Sequence, residues 1–167
     1  MDSPALLYSH TAISLVAILL GFVVLYGLWT ANRMAGTTLW FLVTTILTSA
    51  TGYLFQRDHV LPSHIVGGIA LVVAAITCFA LYANKLRGIW RTVYVAGAVI
   101  SLYLNVFVLV AQLFLKVPAL NALAPTGTEP PFAVAQGIVF VLFLVAGFYA
   151  VKRFHPIGGS VAVASAR

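Results

Sequence analysis

Charge is the scarcest property of this 167-residue chain. Only 7% of its residues are charged, against about 25% in a typical soluble domain. Only three are acidic: Asp2, Asp58 and Glu129. With 62% apolar residues and a mean hydropathy of +1.07, water is not its only solvent. Cysteine is almost absent too. Cys78 alone excludes an intrachain disulfide framework and any cysteine-rich metal site; inside the apolar run AAITCFALYA it reads as packing. There is no glycine-rich phosphate loop, no G-x-S-x-G, no H-E-x-x-H and no C-x-x-C. Few carboxylates exist to act as acid or base, so a stand-alone enzyme is not expected. None falls inside an apolar run, which weighs against a proton-coupled pump. The net charge of +6 does not point to nucleic acid, because the basic residues punctuate the ends of apolar runs instead of clustering.

The chain is instead rich in long apolar runs. Five approach the ~20 residues that a helix needs to cross a bilayer: residues 5–31, 37–55, 64–83, 89–115 and 132–151. None alternates as a membrane strand would, and in lipid only helices satisfy the backbone without closing a barrel. The expected fold is an all-α transmembrane bundle of five helices over residues 1–155, with a short flexible tail over 156–167. The first run is expected to stay in the mature protein, because its leader MDSPA has no positive n-region and no A-x-A-like site follows it.

The charges also predict direction. Arg57 and Lys116 lie on one side, whereas Arg33, Lys85, Arg87, Arg91, Lys152, Arg153 and Arg167 lie on the other. That asymmetry predicts an N-terminus outside and a C-terminus in the cytoplasm. The turn FQRDHVLPSH (55–64) is then at the outer surface. In the longest connection, Pro118 suits the first turn of a short interfacial helix and Pro125 its end. Thr128 is expected to cap the last span, with Glu129 at its positive dipole end.

Polar groups inside the runs mark the candidate sites. In the fourth run, at about 100° per residue, Ser101 and Asn105 lie within about 20° of Tyr94, and Gln112 returns to the same line. This seam must face protein or a wet cavity, serving as interhelical glue or as the wall of a ligand groove, with Gln136 of the fifth run closing it. The second run is rich in hydroxyls (Thr44, Thr45, Thr48, Ser49, Thr51) and reads as a packing helix. At the outer end, His10 heads a stripe with Ser14, Ala17 and Gly21. His64 heads another with Gly68, Leu71, Ala75 and Cys78. Small stripes admit a close helix or a flat cofactor. Two sharp readings follow: His10 and His64 as the axial pair of a b-type haem, or His10, His59 and His64 around a Cu or Zn ion with Asp58 as ligand or supporting partner. The plain reading is that His64 caps a helix, His59 is solvated and His10 anchors at the headgroups.

The segments LPSH (61–64), SLYLNVFVLVAQ (101–112) and KVPALNALAPTGTEPPFAVAQ (116–136) resemble those of a family of small multi-span bacterial inner-membrane proteins. The resemblance implies an inner-membrane setting and brings neither an activity nor catalytic residues. The architecture is also loosely similar to small four- and five-span proteins with histidines near helix ends, some tied to haem or copper handling. The leading expectation is a multi-pass inner-membrane protein of binding or accessory type. Its outer end would be the functional surface and its partners the lipid bilayer, a larger membrane complex or a second copy. A haem or copper redox protein and a small-solute carrier or pore along the fourth-run seam are the alternatives.

Overall fold

A computed structural model describes residues 4–55 and 62–155. The expected tail, 156–167, and the turn residues Arg57, Asp58 and His59 lie outside the described residues. Among those described, every regular element is helical. They are α1 (Pro4–Trp29), α2 (Ala35–Gly52), α3 (Pro62–Cys78, continued by a π-helical turn Phe79–Ala83), α4 (Ile89–Lys116), α5 (Pro118–Asn121) and α6 (Pro130–Arg153). Four helices are long and apolar enough to cross a membrane: α1, α3 with its π turn (His64–Ala83), α4 and α6. α2 is regular over 18 residues, but its threonines dilute its apolarity.

Backbone chemistry explains the ends. α1 stops where Ala31 takes a positive φ of 54°, and the Asn32 amide folds back onto the Gly27 carbonyl at 2.8 Å. The α3 turn widens to π because the Asn84 and Leu86 amides reach the carbonyls of Phe79 and Ala80, with Lys85 and Leu86 both at positive φ. α5 starts at Pro118, where a missing N–H costs nothing. At α6 the cap position falls on Glu129, one residue after Thr128, and no side chain caps the helix. The Glu129 carboxylate turns back into the loop instead and accepts from the Thr126 and Thr128 amides and the Thr126 hydroxyl. Desolvation opposes ionisation there, but these hydrogen bonds outweigh it and hold the carboxyl below the usual range.

α1, α2, α3 and α4 pack in sequence around a ring that closes between α4 and α1, and α6 lies on the flank against α4 and α1. α4 carries the centre. Tyr94, Val95, Ala98, Val99 and Leu102 meet Ile18, Leu25 and Leu28 of α1 and Phe41 and Leu42 of α2. α2 is a packing helix, as its hydroxyls suggested, with Thr38, Phe41, Leu42, Thr45 and Ser49 all buried. Two glycines set the closest approaches. Gly21 leaves room for the ends of Leu102 and Phe41, and a Cβ on Gly97 would overlap the Thr77 hydroxyl of α3. The outer faces are apolar: Ile138, Val141, Leu142, Val145 and Phe148 of α6 are all exposed, and only Gln136 and Ala150 of that helix are buried.

Candidate functional site at the histidine-bearing end

His10, the C-terminal end of α2 and the start of α3 come together at one end of the bundle. His10 is half-buried. Its Nδ1 lies 2.9 Å from the Thr51 hydroxyl, and Phe55 meets its ring edge-on at 5.1 Å. Thr51 spends its own proton on its helix, reaching the Leu47 carbonyl at 2.7 Å. Its oxygen is therefore the acceptor, and the neutral His10 ring carries its proton on Nδ1. Nε2 is left with its lone pair, the nitrogen able to take a proton or bind a metal ion.

His64 is held by a different residue of the same segment. Tyr53 stacks on its ring at 5.5 Å and 17°, and the Tyr53 hydroxyl donates to the His64 carbonyl at 2.6 Å. The phenol lies over Gly67 and Gly68, where a Cβ on Gly68 would stand 3.0 Å from the hydroxyl oxygen. The α3 small-residue stripe is thus filled at its head by Tyr53. The α1 stripe is filled by Phe41 and Leu102 at Gly21, and Ser14 bonds back to the His10 carbonyl at 2.7 Å. α1 packs on α2, and α2 packs on α3, so the α1 stripe meets side chains of α2 and α4 and the head of the α3 stripe meets Tyr53, just beyond α2. Among the described residues no three His, Cys, Asp or Glu side chains converge. Asp58 and His59, named above with His10 and His64 for a metal ion, lie outside those residues. His155 is exposed at the opposite end.

The α4 seam faces α2. The Tyr94 and Thr38 hydroxyls approach to 3.4 Å, and the Asn105 side-chain amide donates to Thr45 at 3.1 Å. Gln136 on α6 donates to the Phe107 carbonyl at 3.0 Å, while Gln112 is half-buried. The seam is therefore bonded helix to helix at two levels, with Thr45 and Thr38 as partners that spacing within α4 alone could not name. Among the described residues, three buried polar atoms stay without a protein partner: Thr48 Oγ1, Ser101 Oγ and Gln136 Oε1. A double-mutant cycle of Asn105→Leu and Thr45→Val is expected to give a coupling of about 0.6–1.7 kcal/mol, the range for hydrogen bonds between membrane helices. Unfolding in mixed micelles measures it, and additive single mutants would remove the bond from the account.

Thr51, Tyr53 and Phe55 are the residues that reading along the chain did not single out as site-formers. Their only sequence signal is position, at the end of α2 facing the next turn. The fold defines an all-helical class in which four helices have the length and composition to cross a membrane. Scans against protein-family models, curated proteins and solved structures each found no match.

Proposed function

We propose that this chain is a five-span, N-out/C-in protein of the bacterial inner membrane that works as a binding or accessory component of a larger membrane assembly through its outer end. The observation that carries the reading is His10. Its ring is anchored through Nδ1 on Thr51, leaving Nε2 without a partner among the described residues, at the surface that also exposes Tyr53, Leu54 and Leu123. A polar acceptor held in place among exposed apolar groups suits a partner contact.

Two features support α2 as the fifth span. Its 18 residues reach about 27 Å, close to the ~30 Å of a hydrocarbon core. Four of its threonines are also bonded, Thr44 and Thr51 to their own helix and Thr38 and Thr45 towards α4, so these hydroxyls do not need water. Five crossings put the termini on opposite sides, and the lysine and arginine asymmetry favours a cytoplasmic C-terminus. In a Cys78→Ser background, an impermeant maleimide added to intact cells is expected to label Ser3→Cys and spare Ser160→Cys. The reverse pattern inverts the topology.

The function is tested by purification in mild detergent from the native membrane. A partner is expected to copurify in fixed ratio and to fall at least tenfold with His10→Ala while helix content is unchanged. A particle holding this chain alone, unaffected by His10→Ala, removes the reading. A second reading, a Cu or Zn ion on Nε2, has the His10 tautomer in its favour. Elemental analysis of the same preparation separates the two, since only bound metal would be lost with His10→Ala in the absence of a partner.

A further inference from the structure

The opposite end of the bundle carries a groove of about 230 Å³ between α1 and α6, lined by Trp29, Tyr149 and Arg153. Small-molecule sites enclose about 300–1,000 Å³, so this one is too small and too open for a large cofactor. Trp29 is a fixed wall, because its indole N–H donates to the Ala146 carbonyl on α6 at 3.1 Å. Tyr149 and Arg153 are exposed at the last turns of α6. Tryptophan and tyrosine concentrate where membrane meets water, and a guanidinium pairs with phosphate through two parallel hydrogen bonds.

The charge around the groove is one-sided. Arg33, Lys85, Arg87 and Lys152 are exposed at this end. Among the described residues the one acid is Glu129. It precedes the other end of the 24-residue α6, about 36 Å away along the helix. The described residues thus supply no anion to an arginine set beside two interfacial aromatics.

We propose that this groove binds the headgroup of an anionic phospholipid, with its phosphate on Arg153 and its glycerol and upper acyl carbons between Trp29 and Tyr149. The site rests on the reading that the bundle spans a membrane, and it is independent of the histidine-bearing end.

Native mass spectrometry of the full chain in detergent, titrated with phosphatidylglycerol or phosphatidylcholine, tests it. Phosphatidylglycerol is expected to bind at least fivefold more tightly. Arg153→Gln is expected to lower that affinity about fivefold, the effect of one basic side chain on acidic lipid. Tyr149→Ala is expected to weaken both lipids, and Arg87→Gln, exposed in the α3–α4 connection, to stay within twofold of the parent. The thermal midpoint of Arg153→Gln in phosphatidylcholine alone should match the parent, showing that the fold is intact. Parent-like binding by Arg153→Gln overturns the proposal. An equal loss in Arg87→Gln overturns it as well, since the attraction would then belong to net charge. Competition by inorganic phosphate over the same concentration range assigns the site to free phosphate and likewise sinks the lipid.

Discussion

Gly97→Ala is expected to destabilise the bundle by about 2 kcal/mol, within the ~1–3 kcal/mol of core overpacking. Two effects oppose each other. Alanine is the better helix former by about 1 kcal/mol. Against that, its Cβ would overlap the Thr77 hydroxyl and stand 3.2 Å from the Thr77 Cβ. Thr77 cannot easily yield, because its hydroxyl donates to the Val73 carbonyl at 2.7 Å and its branched Cβ restricts χ1. The overlap therefore wins, and α3 must move away from α4. Thr77→Ala removes the obstructing oxygen, so the double variant Gly97→Ala/Thr77→Ala is expected to recover most of the loss. Unfolding in mixed micelles followed by circular dichroism measures both. Equal destabilisation in the single and double variants would show that the contact does not set the α3–α4 distance.

Arg91→Ala should cost a similar amount, about 2–3 kcal/mol, for a different reason. Its Nη1 donates to the Val151 carbonyl at 3.0 Å and to the Phe154 carbonyl at 2.6 Å. These carbonyls lie at the end of α6, where the helix leaves acceptors unpaired and its dipole is negative. Each charge-assisted bond contributes about 1.5–3 kcal/mol when shielded, and the partial exposure of Arg91 discounts the sum. The bonds also hold Phe154, fully buried beyond the helix end, 5.7 Å from the Tyr94 ring. Arg91→Lys keeps the charge on a different stem and is expected to recover no more than about half. Hydrogen exchange at residues 150–155 should quicken in Arg91→Ala before the rest of the bundle responds. Uniform exchange throughout would mean that Arg91 does not lock this end locally.

Arg91 also illustrates how far reading along the chain can go. Helical spacing puts it about 60° from the line of Tyr94, Asn105 and Gln112, because that phase is a property of α4 alone. Its partners could not be read, since they sit about 60 residues on, at the end of a helix whose packing side follows no strong polar stripe. The histidines show the same divide. Composition and spacing put His10 and His64 at the heads of small-residue stripes at one end of the bundle. They could not tell that Tyr53 fills the α3 stripe, or that Phe41 and Leu102 fill the one on α1, because any large side chain of suitable reach fits a stripe of glycine and alanine. The N-cap of α6 moved by one residue, from Thr128 to Glu129, because the carboxylate found amides in its own loop to accept from.

By itself, the sequence determined the solvent and the repertoire. So few charges and such long apolar runs leave helices as the structure that satisfies its own backbone in lipid, and the ends of those helices follow from Asn, Gly, Pro and basic residues in the connections. Only the tertiary structure decided which faces meet. α2 lies between α1 and α3, α4 carries the core, and the polar seam is spent on Thr38 and Thr45. In lipid the apolar effect does not choose between greasy faces, so the arrangement depends on close glycine contacts and a few interhelical hydrogen bonds, which no pattern within one helix contains.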